Sequence, residues 1–183
     1  MTVKDIVRLS AIYLNMENVI KYLEDGDNND ALGAVNTLTV CANLVINELA
    51  CSYIPMLKTE RVKPENGKVY FSALSETPLE IVGVLDDNGN ELSYTFDPEY
   101  VVVPTDAKTI LYKYFPPNYG LTDKVGYRET EVPVRLLAYG AVAEYCLTIG
   151  AFSESVTWRN RFTDSVSATC LPKGVKTKTR SFV

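Results

Sequence analysis

Two acidic loops have the spacing that comes closest to a recognised chemical site. Residues 25–29 follow the pattern D-x-D-x-N and residues 86–90 follow D-x-N-x-N, and both imitate the start of an EF-hand calcium loop. The sixth position of that loop requires glycine for its turn, but it holds Asp30 in the first loop and Glu91 in the second. The twelfth position lacks the bidentate glutamate in both. We therefore expect solvated turns here and no metal site.

Other kinds of catalytic chemistry lack their usual residues. The chain contains no histidine, the commonest general base and zinc ligand and a member of most serine and cysteine triads. It contains neither of the glycine-rich patterns G-x-x-x-x-G-K-[ST] and G-x-G-x-x-G that bind nucleotide phosphates. Catalytic carboxylate pairs are usually placed in clefts, whereas pairs such as Glu129 and Glu131 fall in predicted loops. The sequence predicts no enzymatic activity, no cofactor and no metal.

The C-terminal segment 171–183 is strongly basic. No acidic residue follows Asp164, and this segment contains four cations in a chain whose net charge is -5. Two interpretations stay open: a frayed, solvated terminus, or an arm that docks on a partner through charge pairing and a small apolar anchor. For the second, the predicted partner-binding residues are Lys173, Lys176, Lys178, Arg180, Phe182 and Val183.

The composition is that of a folded protein. The 183 residues are 46% hydrophobic and 22% charged, which suits one domain or a helical body with a small subdomain. No apolar run approaches the roughly 20 residues of a membrane span, and the N-terminus lacks the apolar core of a signal peptide. We expect a cytoplasmic protein without membrane contact. Its four cysteines form no C-x-x-C pair and are expected to be free thiols.

The N-terminal part is predicted to be a helical hairpin over residues 1–62. Apolar residues follow helical spacing from Val3 to Asp25, and Gly26 ends this first helix. A second, long helix is predicted from an N-cap at Asn29 or Asp30 to the neighbourhood of Pro55. A charged linker over residues 58–65 leads out of the hairpin.

A small antiparallel β subdomain is predicted over residues 66–116. Five segments rich in Val, Ile, Tyr and Phe are separated by turn residues. Asn88-Gly89 predicts a type I′ hairpin, since both central positions of that turn require a positive φ.

The C-terminal helices are predicted over residues 131–170, where they complete the bundle. Pro133 suits a helix start, and Gly150 is expected to break or bend the helix. Small residues on its apolar face permit close approach by another helix. We predict subunit packing at Gly140, Ala143, Trp158 and Phe162. The fold class is therefore α+β: a helical bundle of two N-terminal helices and a long C-terminal helix, with an inserted β subdomain and an extended C-terminal arm.

The segment from Val132 to Phe162 resembles the C-terminal helices of head-to-tail connector (adaptor) proteins of tailed bacteriophages. The resemblance lies in PVRLLAYGAVAEY at 133–145, followed by WRNRF at 158–162. It implies a structural virion protein of the neck, assembled in the host cytoplasm. The implied partners are the portal ring, a tail or stopper protein, and identical copies in a ring, expected to be a dodecamer.

That resemblance also implies transient, non-specific passage of double-stranded DNA through the ring. A negative surface would repel phosphate and let DNA slide. The alternatives are a tail-completion or stopper protein, or a non-viral cytoplasmic adaptor module that binds one protein partner. All are binding or structural roles, and the residues of the arm and of the C-terminal helices are the ones expected to carry them.

Overall fold

The computed structural model describes residues 1–26 and 29–170, and the predicted arm at 171–183 lies outside this range. Within the described residues, the α-helices are α1 (Val3–Tyr13), α2 (Glu17–Asp25), α3 (Leu32–Ser52), α4 (Val134–Thr148) and α5 (Phe152–Cys170). The strands there are β1 (Leu57–Arg61), β2 (Lys68–Tyr70), β3 (Pro78–Leu85), β4 (Glu91–Leu92), β5 (Thr95–Phe96), β6 (Tyr100–Val102) and β7 (Thr109–Tyr114). The chain is a mixed α+β protein, as predicted.

The first predicted helix is wrong as one continuous element, because α1 and α2 are separate. Thr2 and Asp5 form a capping box that starts α1. Asn15 then adopts a φ of 54°, a left-handed conformation that asparagine tolerates better than most residues and that stops a right-handed helix. Both helices are amphipathic, so the apolar periodicity runs through the break. The N-terminal body therefore has three helices, with α3 as the third.

The helix α3 is the central helix of the body. It begins after a short 3₁₀ turn, Asn29–Ala31, and its N-cap is Ala31, not the predicted Asn29 or Asp30. It contacts α1, α2 and α4. By length and composition alone α3 could cross a membrane, but 44% of that apolar window is buried inside this fold. Its apolar character accordingly reflects in part its place in the core.

The β subdomain consists of two small antiparallel sheets. One has the strand order β1-β7-β3-β4 and the other β2-β6-β5, so the predicted strand over residues 92–96 is divided between them. The predicted boundary of the helical hairpin at residue 62 is wrong, because β1 pairs with β7. The sequence does not show the alternating apolar pattern of a strand here, because the inward positions of β1 are Lys58 and Glu60. The Glu60 carboxylate there accepts a 2.8 Å hydrogen bond from the Tyr112 hydroxyl.

Two Asn-Gly turns differ from each other. Asn66 and Gly67 both have positive φ, 52° and 74°, and they join a 65–68 bridge as a type I′ turn does. The predicted type I′ turn at Asn88-Gly89 is wrong, because there only Gly89 has a positive φ. The Gly89 N–H donates to the Asp86 carbonyl, and the Asp86 side chain accepts a hydrogen bond from the Asn88 N–H. The aspartate side chain thus selects a different turn.

The last two helices form a hairpin that closes the body. Pro133 is the N-cap of α4, and Gly150, with a φ of 77°, separates α4 from α5 as predicted. The buried Ser155 hydroxyl donates to the Ala143 carbonyl and joins the two helices. The helices share one hydrophobic core, and the sheets enclose a second. Tyr114 packs against both cores and so connects the subdomain to the body.

Candidate protein-interaction site

The predicted close approach of a helix at Gly140 occurs within the chain itself. A Cβ atom at Gly140 would lie 2.6 Å from Val45 Cγ1 on α3 and 3.0 Å from Phe162 Cδ2 on α5. Ala143 and Phe162 are each only 1% exposed. The prediction that Gly140, Ala143 and Phe162 pack against another subunit is therefore corrected, because intramolecular contacts bury them.

Trp158 is also used for intramolecular packing. Its ring stacks on Tyr13 of α1 at a centroid distance of 5.1 Å and lies 5.7 Å from Tyr139 of α4. The Arg161 guanidinium covers the same indole at 4.5 Å. This half-buried aromatic cluster joins α1, α4 and α5, so the helical spacing of Trp158 and Phe162 marked the inner side of α5. A surface for a neighbouring copy must lie elsewhere.

A different set of large apolar side chains is exposed on the helical body. Phe152 and Val156 of α5 are 68% and 60% exposed, although they begin a helix whose other side is buried. Other large apolar side chains are exposed on α3 and around the α4–α5 turn, and we call the whole set the helical apolar surface. Its members are Val40, Leu44, Leu147, Ile149, Phe152 and Val156.

A cluster of ion pairs connects the helices that carry these apolar side chains. Val40, Leu44 and Glu48 recur every fourth residue along α3, so they share one side of that helix. Glu48 makes a bidentate ion pair with Arg159 of α5, in which Arg159 Nη1 lies 2.8 Å from Glu48 Oε2. Glu144 of α4 lies 3.6 Å from the same guanidinium. The apolar residues of α3 and those of α5 therefore lie on the same side of the body, with the cluster between them.

The charges of this cluster do not cancel. The hydrogen bond to Glu48 raises the pKa of Arg159 further, so the guanidinium is always charged. Two carboxylates against one cation leave a net negative charge at the centre of an apolar surface. Beside it lies a groove of about 390 Å³, to which Leu147 and Val156 contribute apolar walls and Asn160 an amide. Large exposed apolar side chains beside such a groove are candidates for a contact with another protein.

The sequence did contain a signal for this surface. Phe152 and Val156 are four residues apart, directly after Gly150, and Trp158, Phe162 and Val166 define a different, inward side of the same helix. Two apolar sides on one helix indicate that one of them is left for another partner. The six predicted partner-binding residues of the arm, from Lys173 to Val183, lie outside the described residues.

Of the two acidic loops, the structure describes the second in full and the first only in part. Residues 27 and 28 of the first loop are not described. In the second, Asp86 accepts hydrogen bonds from the Asn90 N–H and side-chain amide, both at 2.8 Å. These bonds hold the pKa of Asp86 below its ordinary value. Among the described residues no group of three or more Cys, Asp or Glu side chains could hold a metal ion.

Comparison with known proteins leaves the chain without an assigned family. No known family model matches it, and no curated protein is significantly similar to it.

Proposed function

We propose that this chain is a structural subunit of a bacteriophage head-to-tail connector, an adaptor ring that extends the portal, gives passage to DNA and joins the tail. The helical apolar surface is the observation that carries the proposal. Large apolar side chains exposed to this degree are usual where a second protein binds. The resemblance of the segment from Pro133 to Phe162 supplies the identity of the assembly.

A ring of identical copies requires two unlike surfaces on each copy, because every subunit contacts its neighbours head to tail. Further large apolar side chains are exposed on the four-stranded sheet, away from the helical apolar surface. They include Leu57 of β1 and Leu79 and Val82 of β3. A helical surface against a sheet face is a heterologous pair, which suits a closed cyclic assembly such as the dodecamer that the resemblance implies.

The remaining parts of the proposal follow from charge. A net charge of -5 disfavours adhesion of the DNA phosphates as the duplex passes through the ring. The basic segment 171–183 would meet the portal ring, and the β subdomain would meet the tail or stopper protein. The proposed place of the protein is the neck of the virion, and no catalytic step belongs to this role.

The experiment introduces a charge into the helical apolar surface. Phe152→Asp should abolish assembly and leave folding intact, because the side chain is mostly exposed and makes few contacts within its own chain. Thr157→Asp is the matched control, since it places the same charge at an exposed position five residues further along the same helix, on a different side. Cosedimentation with purified portal rings from the encoding genome measures assembly, and circular dichroism melting checks folding. If Phe152→Asp cosediments as the parent does, the surface has no role in assembly.

A further inference from the structure

A cleft in the β subdomain has a charge opposite to that of the whole protein. It has a volume of about 470 Å³ and lies where the end of β1 and the following linker approach β2 and the 3₁₀ turn Phe71–Ala73. Its lining residues are Arg61, Val62, Lys63, Glu65, Lys68, Val69, Tyr70, Ser72 and Ala73. Three cations and one carboxylate give it a net charge of +2.

The cations of this cleft differ in their ion pairing from other lysines of the subdomain. Arg61, Lys63 and Lys68 form no salt bridge with any described residue, whereas Lys58 and Lys113 in the same subdomain pair with Glu76 and Glu80. Lys68 lies over the Tyr100 ring at 4.1 Å, and its contact with that tyrosine raises its pKa. The three charges are therefore available to an anionic ligand.

Part of the backbone around the cleft also directs hydrogen-bonding groups away from its own sheet. β1 and β2 are edge strands of their respective sheets. The Val62 N–H bonds the Lys108 carbonyl on the β7 side, so the backbone groups of Arg61 point away from β7 by the alternation of an antiparallel ladder. The Phe71 N–H bonds Glu99 in the same way, which turns the backbone groups of Tyr70 away from β6. On the outer edge of β2 the Lys68 backbone already pairs with Glu65, so the groups offered to an added extended chain are those of Arg61 and Tyr70.

We propose that this cleft binds an extended acidic peptide segment of a partner protein. The volume is far larger than a single phosphate group needs, and it suits a few residues of extended chain. Val62, Val69 and Ala73 provide an apolar floor for alternate side chains, and the cations pair with carboxylates between them. Glu65 in the lining opposes a compact polyanion, whereas it can accept a backbone N–H from a peptide. Binding of this peptide does not depend on ring formation.

The test uses a fluorescein-labelled peptide of eight residues that alternates glutamate and valine. Its fluorescence anisotropy is titrated with the full chain, and a peptide with lysine in place of glutamate serves as the reverse-charge probe. The acidic peptide should bind and the basic one should not, with affinity falling as salt rises. Lys63→Glu should weaken binding about tenfold or more, because it reverses one of the contacting charges. Lys21→Glu, the same charge change at an exposed position of α2, should have no effect.

Folding is controlled separately. Lys63→Gln and Arg61→Gln remove charge without reversing it, and they should each weaken binding by a smaller factor with unchanged melting. Absence of acidic-peptide binding at millimolar concentration would overturn the proposal. So would equal losses in Lys63→Glu and Lys21→Glu, or displacement of the peptide by inorganic phosphate or duplex DNA at lower concentration than by unlabelled peptide, since either competitor would then be the better ligand.

Discussion

Gly140→Ala tests the packing at the centre of the helical body. An alanine in a helix interior is more stable than glycine by about 1 kcal/mol, because glycine loses more backbone freedom on folding. At Gly140 the added Cβ would approach Val45 Cγ1 to 2.6 Å and Phe162 Cδ2 to 3.0 Å. Overpacking of a tight core opposes the helical gain by about 1 to 3 kcal/mol. The expected net change in the free energy of unfolding is a loss of between about zero and 2 kcal/mol.

The matched control is Gly33→Ala, in the first turn of α3. A Cβ there meets nothing within 4 Å. This substitution should therefore be neutral or stabilise the protein by up to about 1 kcal/mol. Urea unfolding followed by far-ultraviolet circular dichroism measures both changes on the same scale.

A double-mutant cycle identifies the cause. In a chain that already carries Val45→Ala, the nearest methyl groups are gone, so Gly140→Ala should become less harmful than in the parent. The expected coupling is about 1 kcal/mol or more. If Gly140→Ala stabilises the chain as Gly33→Ala does, or if Gly140→Ala and Val45→Ala are additive, the close contact between α4 and α3 does not exist in solution.

Three further predictions concern other parts of the chain. Burial raises the pKa of Cys41 to about 11 and also raises the pKa of Cys146. A thiol reagent at pH 8 should therefore modify the exposed Cys51 and Cys170 first, and Cys41 and Cys146 only on unfolding. Tyr112→Phe should cost about 1 to 2 kcal/mol through the lost bond to Glu60. Burial opposes ionisation of Glu60, but the hydrogen bonds it accepts hold its pKa below the ordinary value. The stability linked to Glu60 is therefore complete above about pH 4.3 and is lost as pH falls through the lower folded pKa, so parent and variant should converge in acid urea titrations. Arg159→Met should cost roughly 1 kcal/mol, a modest value because the pair is partly exposed, and the difference from the parent should shrink at high salt.

Much of the fold could be predicted because strong local signals agreed with tertiary packing. Pro133 and Gly150 bound the C-terminal helix through backbone restrictions that hold in any context. The break at Asn15 was missed because apolar spacing continued across it, and β1 was missed because hydrogen bonding at Glu60 replaced an apolar pattern. Both failures occur where a polar side chain or a single backbone conformation outweighs hydrophobic periodicity.

The interaction surfaces were harder to predict than the fold. Small residues such as Gly140 indicate close packing, but the spacing of a sequence does not say whether the packed neighbour is in the same chain. That distinction depends on the path of α5 back along α4, which only the tertiary structure supplies. The positive charge of the cleft could not be predicted either. In the sequence, Lys63 belongs to a charged linker of mixed sign and Lys68 to the start of a strand, and only the fold brings them together.

Native mass spectrometry of the reconstituted complex tests most directly the proposal that copies of this chain form a ring on a portal. Purified portal rings from the encoding genome are mixed with an excess of the chain, and the mass of the complex gives the number of copies bound. The account predicts one discrete complex with twelve copies per portal ring, and no such complex with Phe152→Asp. A genome without a portal protein, a chain that stays unbound beside portal rings, or a broad distribution of one or two copies per ring would contradict it.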